Sequence, residues 1–174
     1  MKKIMVIGCG GSGKSTLSKK LHAITGLELI HLDQIFWKPG WVELPKEEWI
    51  KKNKQILAEK PYWILDGNYS STMDMRINKA DTIIFMDTPT VVRLFRVIKR
   101  VVQNFGRSRP DMPANCPERI SFQFLHYILF YNLTRRPVIL KKLEMVRDKK
   151  NVYIISDKKS KLALLKKVED FFHH

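Results

Sequence analysis

Cysteine is scarce in this sequence, and long apolar runs are missing from it. The 174 residues include two cysteines, Cys9 and Cys116, which are too few for a disulfide framework and are not spaced as zinc ligands. The longest apolar candidate, residues 122–133, is interrupted by three polar side chains, whereas a membrane-spanning helix needs about 18 apolar residues in a row. We therefore expect a cytoplasmic protein without a membrane-spanning helix.

The overall composition is that of a folded protein. Hydrophobic residues make up 44% of the chain and charged residues 28%, which excludes collagen-like, low-complexity and wholly disordered proteins. A chain of this length has room for one hydrophobic core. We therefore expect a single domain, residues 1–174.

The net charge of +15 is unevenly distributed along the chain. Residues 91–150 contain 14 basic and 4 acidic residues, whereas residues 1–90 contain 13 and 10. Such an excess of positive charge indicates anionic partners: nucleotides, nucleic acid or an acidic surface. We expect the anion-handling surface to be built from the segment that follows Pro89.

Short apolar segments alternate with helical patterns along the chain. This alternation is typical of βαβ units around a parallel sheet, in which ligands bind at the carboxyl ends of the strands. Gly8, Asp33 and Asp66 each come directly after a predicted strand end. The predicted strands are residues 2–7, 28–32, 62–65, 82–86 and 152–155.

A phosphate-binding motif, G-x-x-x-x-G-K-[ST], occupies residues 8–15, between the first predicted strand and a predicted helix. Its glycines let backbone N–H groups turn towards phosphate oxygens, and the helix N-terminus adds partial positive charge. Lys14 is expected to reach the β- and γ-phosphates of ATP, and the Ser15 hydroxyl to ligate Mg²⁺. The residues expected to bind ATP are Gly8, Gly10, Gly11, Ser12, Gly13, Lys14, Ser15 and Thr16.

Asp66 is the first candidate for a carboxylate near the metal. It ends the apolar run Trp63 to Leu65, and an Asp at this point of a phosphate-loop protein orients Mg²⁺ or one of its water ligands. The alternative is that Asp66 only caps the turn that follows. Asp87 is the rival candidate, although Thr88 and Pro89 after it are also typical of a helix cap.

These motifs resemble the adenylate-kinase-like branch of P-loop proteins, which contains the small nucleotide, nucleoside and shikimate kinases. The resemblance implies an α/β P-loop NTPase three-layer fold, with a five-stranded parallel sheet, helices on both faces and a short lid. It also implies ATP and Mg²⁺ as cofactors. More specifically, the sequence resembles the bacterial topology modulation protein group through residues 8–15, 32–33, 36–41, 66–69, 109–112 and 116–118.

One departure from the adenylate kinases concerns the phosphoryl acceptor. Those enzymes follow Asp-Gly with Phe-Pro-Arg, whose arginine grips the acceptor phosphate, whereas this chain has Asn68, Tyr69 and Ser70. The sequence therefore does not favour AMP as the acceptor. Arg76, about two helical turns further on, is the candidate replacement for the missing arginine.

The region predicted to bind the acceptor is an insert at residues 34–60, next to Asp33. A carboxylate at this position can take a proton from an acceptor hydroxyl or orient it, and the resemblance also implies acceptor contact here. The alternative is a turn Asp bonded to its own backbone. Phe36, Trp37 and Trp41 lie in a segment read as a turn, where they form either a stacking wall for a ring or a small hydrophobic core.

A second predicted feature is a lid at residues 104–118, which follows an amphipathic helix. On that helix an apolar face, with Phe95 and Ile98 among its members, lies opposite an arginine face that carries Arg93, Arg96 and Arg100. Arginines in a lid stabilise the charge on a phosphoryl group in transfer, and lid closure excludes water. The arginines predicted to act in catalysis are Arg107, Arg109 and, from the pair Arg135-Arg136, Arg136.

The aromatic segment at residues 122–131 is more consistent with burial in the core or in a dimer interface than with nucleic-acid binding.

The leading hypothesis is a Mg·ATP-dependent kinase of a small hydroxyl- or phosphate-bearing acceptor, as a monomer or homodimer. The alternative is an ATP-binding regulator associated with nucleic acid, in which DNA binding is weak and electrostatic. No DNA-reading motif supports that alternative.

Overall fold

The computed structural model describes residues 1–108, 112–119 and 121–173. No helix within these ranges is long and apolar enough to span a membrane. The strands are β1 Lys3–Gly8, β2 Leu29–His31, β3 Trp37–Lys38, β4 Val42–Glu43, β5 Trp63–Asp66, β6 Thr82–Met86 and β7 Asn151–Ile155. The helices are α1 Lys14–Thr25, α2 Leu32–Phe36, α3 Lys46–Glu59, α4 Met73–Lys79, α5 Thr90–Asn104, α6 Phe122–Thr134, α7 Arg136–Glu144 and α8 Lys158–His173.

The central sheet has five parallel strands in the order β2-β5-β1-β6-β7. The predicted α/β fold and all five predicted strands are confirmed, with ends that shift by at most one residue. Because β1 lies in the middle of a parallel sheet, its carboxyl end at Gly8 is flanked by the ends of β5 and β6. The phosphate motif is therefore held at the centre of one sheet edge.

Helices cover both faces of this sheet, as the three-layer expectation requires. Side chains alternate along β1: Ile4 and Val6 pack in one buried cluster with α1 and α8, whereas Met5 and Ile7 pack in another with α3, α5, α6 and α7. All four are fully buried. Burial on both faces explains why this strand is a continuous apolar run in the sequence.

The segment read as a turn is instead a small antiparallel hairpin. Strand β3 pairs with β4 across residues 39–41, and Trp41 adopts a left-handed φ of 64°. A bulky residue rarely takes this conformation, so its surroundings must stabilise it.

Helix α5 is oriented differently from an ordinary amphipathic helix. Its buried residues are Arg93, Val97 and Val101, and its arginine face is turned towards the phosphate loop. The apolar face noted in the sequence points largely to solvent, with Phe95 65% and Ile98 55% exposed. Contacts with the phosphate loop, rather than the hydrophobic pattern, decide which face of α5 is turned inwards, because the arginines contact that loop.

Candidate functional site

A large cleft opens at the carboxyl edge of the sheet. Its volume is about 1020 Å³, which is at the upper end for ligand sites and exceeds the need of a single small molecule. The phosphate loop forms one wall, and the hairpin and Tyr69 form the opposite wall. The predicted residues that line the cleft are Gly8, Gly10, Gly11, Gly13, Lys14, Ser15, Thr16 and Asp33.

Two glycines are required by the shape of the phosphate loop. A Cβ at Gly8 would lie 2.6 Å from the Met86 carbonyl oxygen, so a side chain there would collide with the neighbouring strand. Gly13 has a left-handed φ of 93° and caps the start of α1. The loop therefore delivers the chain to α1 with the helix N-terminus facing the cleft, which is the geometry of an anion site.

Lys14 lies at this N-terminus, and its ammonium group donates to the Cys9 carbonyl oxygen at 3.1 Å. A lysine held against its own loop can turn to a phosphate oxygen by side-chain rotation alone. Ser12 is fully buried and does not line the cleft; its carbonyl oxygen accepts from Thr88 at 3.0 Å and from Arg96 at 3.1 Å. Ser12 thus anchors the loop.

Cys9 and Arg93 form the buried support of the loop. The Cys9 thiol is buried, and desolvation raises its pKa although Arg93 and Lys14 oppose the shift. A protonated thiol is a poor nucleophile, in line with a packing role. Arg93 donates to Asn132 and Thr90 and lies over the Tyr131 ring, which ties α5 to α6.

Asp66 lies at the end of β5 beside the phosphate loop and is 4% exposed. One carboxylate oxygen is 2.9 Å from the His31 ring, and the other has no hydrogen-bond partner among the described residues. By strand alternation Asp66 shares its face with Ile64, which packs on α1. The unpaired oxygen is a buried acceptor on the α1 side of the sheet, and Asp66 does not line the cleft.

The described residues contain no cluster of three or more His, Cys, Asp or Glu side chains that could hold a metal by themselves. A magnesium ion at a phosphate loop does not need one, because phosphate and water oxygens fill most of its coordination sphere. Asp87, the rival carboxylate, is engaged in a bidentate pair with Arg136 at 2.8 to 3.1 Å. Asp87 is therefore occupied by an ion pair, whereas Asp66 keeps one oxygen without a partner among the described residues, and its position near a metal stays a prediction.

The acceptor side of the cleft centres on Asp33, Asn68 and Tyr69. The Tyr69 hydroxyl donates to Asp33 at 2.5 Å, and burial together with the Asp33 charge raises the pKa of Tyr69. Tyr69 therefore stays protonated and acts as a hydrogen-bond donor to Asp33. Asn68 accepts from the Gly8 N–H at 3.3 Å and donates to Tyr127 at 3.0 Å, which links the two sides of the cleft.

Aromatic rings build the wall beside Asp33. Phe36 packs edge-on against Trp37 and Trp49 with ring centroids 5.1 Å apart, and Tyr69 lies 4.5 Å from Phe36. Phe36, Trp37 and Trp41 also line the cleft. Phe36 packs on the buried core that contains Trp49, whereas a role of the cluster as a stacking wall for a ring stays a prediction.

Arg76 is fully buried and does not line the cleft, so it cannot replace the arginine that grips an acceptor phosphate. Its guanidinium donates to the Gly67 carbonyl at 2.8 Å and to the Tyr69 carbonyl at 2.6 Å. Burial lowers its pKa to about 9. Arg76 instead fixes the backbone that presents Asn68 and Tyr69.

Replacing this arginine is expected to destabilise the fold. Arg76→Ala leaves two buried carbonyl oxygens unpaired and a void beneath the loop, so the free energy of unfolding should fall by about 3 kcal/mol. Urea denaturation measures this loss. Lys79→Ala, an exposed position on the same helix, is the matched control and should change stability by less than about 0.5 kcal/mol. Equal stability of the two variants would contradict the assigned role.

The guanidinium groups around the cleft are only partly those predicted. Arg107 is exposed and does not line the cleft, Arg136 is held by Asp87, and Arg109 lies outside the described residues. The arginines that line the cleft are Arg96, Arg100, Arg119 and Arg135. Arg96 and Arg100 belong to the arginine face identified in the sequence, and Arg135 to the pair Arg135-Arg136, whereas Arg119 was not identified.

The hairpin is bonded to the predicted lid segment. The Gly40 N–H donates to the Asn115 carbonyl at 2.8 Å, the Trp41 indole to the Pro117 carbonyl at 3.0 Å, and the Cys116 thiol to the Lys38 carbonyl at 3.4 Å. Trp41 and Asn115 both have left-handed φ angles, 64° and 61°. These contacts stabilise the unusual conformation of Trp41 and join the hairpin and the segment across the cleft.

No model of a known family and no curated protein matches this chain, so the resemblance to the topology modulation proteins gains no support. Solved structures of P-loop kinases do match. A shikimate kinase from Acinetobacter baumannii in complex with shikimate is 16% identical, with a TM-score of 0.58 over 98% of this chain and 92% of that one.

Two further kinase structures match this chain at similarly low identity. A deoxyadenosine kinase from M. mycoides is 14% identical, with a TM-score of 0.53 over 97% of this chain and 98% of that one. A gluconokinase from Sinorhizobium meliloti 1021 is 17% identical, with a TM-score of 0.51 over 99% and 95%. At this identity the likeness establishes the kinase-like P-loop fold, and activity must be argued from the site.

Proposed function

We propose that this protein is a Mg·ATP-dependent kinase that transfers the γ-phosphoryl group to a hydroxyl or phosphate oxygen of a small molecule. The observation that carries the proposal is that the phosphate loop and Asp33 open into the same 1020 Å³ cleft. A cleft of this size accommodates both substrates. Phosphoryl transfer needs them in line and close together, and most of its catalysis is positioning and charge neutralisation.

The proposed reaction begins with an acceptor hydroxyl beside Asp33. The acceptor oxygen bonds to the γ-phosphorus while the bond from phosphorus to the β,γ-bridging oxygen breaks, so that oxygen leaves on ADP with the electron pair. Asp33 accepts the hydroxyl proton, and the Tyr69 hydroxyl holds the carboxylate in place. Lys14 and Arg96 offer positive charge to the phosphoryl oxygens, whereas Arg100, which also lines the cleft, is paired with Glu118 at 3.1 Å.

Magnesium would be held by the Ser15 hydroxyl and, through water, by Asp66, whose second oxygen has no partner among the described residues. When bound, the ion neutralises charge on the β- and γ-phosphates. His31, 2.9 Å from the first oxygen of Asp66, orients that carboxylate. The protein's own part is thus to fix one hydroxyl and one carboxylate next to the phosphate loop.

The insert at residues 34–60 is proposed to bind the acceptor, and residues 104–118 to act as the lid. The aromatic hairpin of the insert is bonded to residues 115–117, so the two would move together when the cleft closes. Closure keeps water from competing with the acceptor. Arg107 and Arg109 remain proposed as lid arginines. In this proposal they contribute only when the lid closes and brings them over the cleft.

An acceptor screen tests the proposed function. ADP release is followed with Mg·ATP and, in separate reactions, nucleosides, nucleoside monophosphates, shikimate-like polyols and oligonucleotides with a 5′-hydroxyl. We expect one small-molecule class to raise the rate well above that without acceptor, and Lys14→Ala to abolish the increase. If none of these acceptors raises the rate above that of ATP alone, the proposal is wrong.

Asp33→Asn tests the acceptor side of the cleft and should leave ATP binding unchanged. The amide cannot take up the acceptor proton, so kcat/KM for the acceptor should fall about 10²-fold. The Kd for ATP should not change, because Asp33 lies opposite the phosphate loop. Asp148→Asn, the same change at an exposed aspartate outside the cleft, is the control and should be close to wild type. A parallel loss of ATP affinity would place Asp33 outside the acceptor site.

A further inference from the structure

An apolar stripe runs along the solvent side of α5 and into the residue that follows it. Its five members are 55% to 78% exposed, although each is a large hydrophobic side chain. Single exposed hydrophobics are ordinary on protein surfaces, but a continuous row of them on one helix face is not. The members of the α5 stripe are Val91, Phe95, Ile98, Val102 and Phe105.

The spacing of the α5 stripe is that of a helix-packing seam. Successive members are four, three, four and three residues apart, which is the a/d repeat by which two helices pack side by side. At about 100° per residue, the stripe is centred about 120° away from the buried face formed by Arg93, Val97 and Val101. The fold of one chain therefore leaves this seam unpaired.

The exposed area is sufficient for a stable contact. We estimate about 600 Å² of accessible apolar surface on the α5 stripe, at the upper limit for the largest patch of a typical monomer. Helix α6, which is tied to α5 through Arg93 and Asn132, adds further exposed residues. Stable interfaces bury about 1,200 to 2,000 Å² in total, so two α5 stripes reach the lower end of that range by themselves. The exposed apolar residues of α6 are Phe122, Leu129, Phe130 and Leu133.

We propose that a second copy of this chain covers the α5 stripe, forming a two-fold homodimer in which α5 packs antiparallel to its counterpart. An axis through Ile98 places Phe95 opposite the partner's Val102 and Val91 opposite the partner's Phe105. Each large ring then meets a small β-branched side chain, so the stripe is complementary to itself in size. Self-complementarity is what a two-fold interface requires.

The charges of α5 favour a second copy over an anionic membrane. A helix that lies on a membrane carries basic residues on its polar face, towards the lipid headgroups. Here Arg93 is buried and Arg96 and Arg100 line the cleft, which leaves Lys99 as the basic side chain exposed beside the stripe. The stripe itself carries no charge, so a second identical stripe meets it without an unpaired ion.

Sedimentation velocity and light scattering test the dimer. The wild-type protein should have twice the 20.5 kDa mass of the chain at micromolar concentration. Phe95→Glu places two carboxylates in the seam and should raise the dimer dissociation constant about 100-fold. The matched control is Val138→Glu on α7, 53% exposed, which should leave the dimer intact.

A cross-linking variant tests the register and does not depend on disrupting the fold. Ile98→Cys lies on the proposed axis, so mild oxidation should join two chains through this residue, whereas Val138→Cys should not be cross-linked. The native Cys9 and Cys116 are buried, so the wild type gives the background. A monomeric wild type, dissociation by both Glu variants alike, or binding of the monomer to phosphatidylserine vesicles through Phe95 would overturn the proposal.

Discussion

Replacing Lys14 with alanine should lower the rate of phosphoryl transfer by more than about 10³-fold and leave the fold intact. The ammonium group is the one cation supplied from within the phosphate loop, and preorganised groups at such a position contribute about 10²- to 10³-fold each. The loss should exceed this range because ATP binding weakens as well. Within the described part of the chain, Lys14 hydrogen-bonds to the Cys9 carbonyl of its own loop, so its removal should not destabilise the core. Single-turnover rates and the Kd for ATP measure both effects.

The control for Lys14→Ala is Lys19→Ala. Lys19 lies on the same helix at the rim of the cleft, beyond the loop, and its removal lowers the local positive charge by the same amount. We expect at most a few-fold change for this variant. If the two variants lose activity equally, the loss comes from the lower positive charge in general, and the specific role assigned to Lys14 is wrong.

Arg96→Ala should lower kcat about 10³-fold and change the Kd for ATP only a few-fold. Arg96 reaches from α5 to the Ser12 carbonyl at 3.1 Å, which brings its guanidinium to the rim of the phosphate loop. Arginines placed against a transferring phosphoryl group contribute 10³-fold or more, mainly in the transition state. The measurement compares the fall in kcat with the change in the Kd for ATP, and it uses the acceptor found in the screen.

Arg147→Ala serves as the control for Arg96, since Arg147 is exposed beyond α7 and pairs with Glu144. It should be indistinguishable from the wild type. A large loss of ATP affinity in Arg96→Ala, with kcat unchanged, would show that Arg96 only supports the loop through Ser12.

The order of the elements could be predicted because local patterns decide it. The run of Ile4 to Ile7 is apolar on both faces of the sheet, so it indicates a buried strand without knowledge of its neighbours. The glycine and lysine pattern of residues 8–15 likewise needs only its flanking strand and helix. These two signals were enough to predict the fold and the position of the phosphate loop.

The sequence names most of the arginines near the cleft but does not show which of them line it, because tertiary contacts choose among them. On α5 the apolar stripe argues for burial, yet the contact of Arg96 with Ser12 and the burial of Arg93 turn the opposite face inwards. Arg136 is kept out of the cleft by its pairing with Asp87, 49 residues away in the sequence. Neither pairing has a local signature, so spacing alone could not rank these residues.

Transfer of label from ATP tests the central claim most directly. The protein is incubated with Mg²⁺, ATP labelled at the γ-phosphate and the acceptor class that raises ADP release, and the products are separated. We predict that the label appears on the acceptor in amounts equal to the ADP formed, and that Lys14→Ala shows neither product. Label found only as inorganic phosphate would contradict the account, because the cleft would then hydrolyse ATP rather than transfer its phosphoryl group.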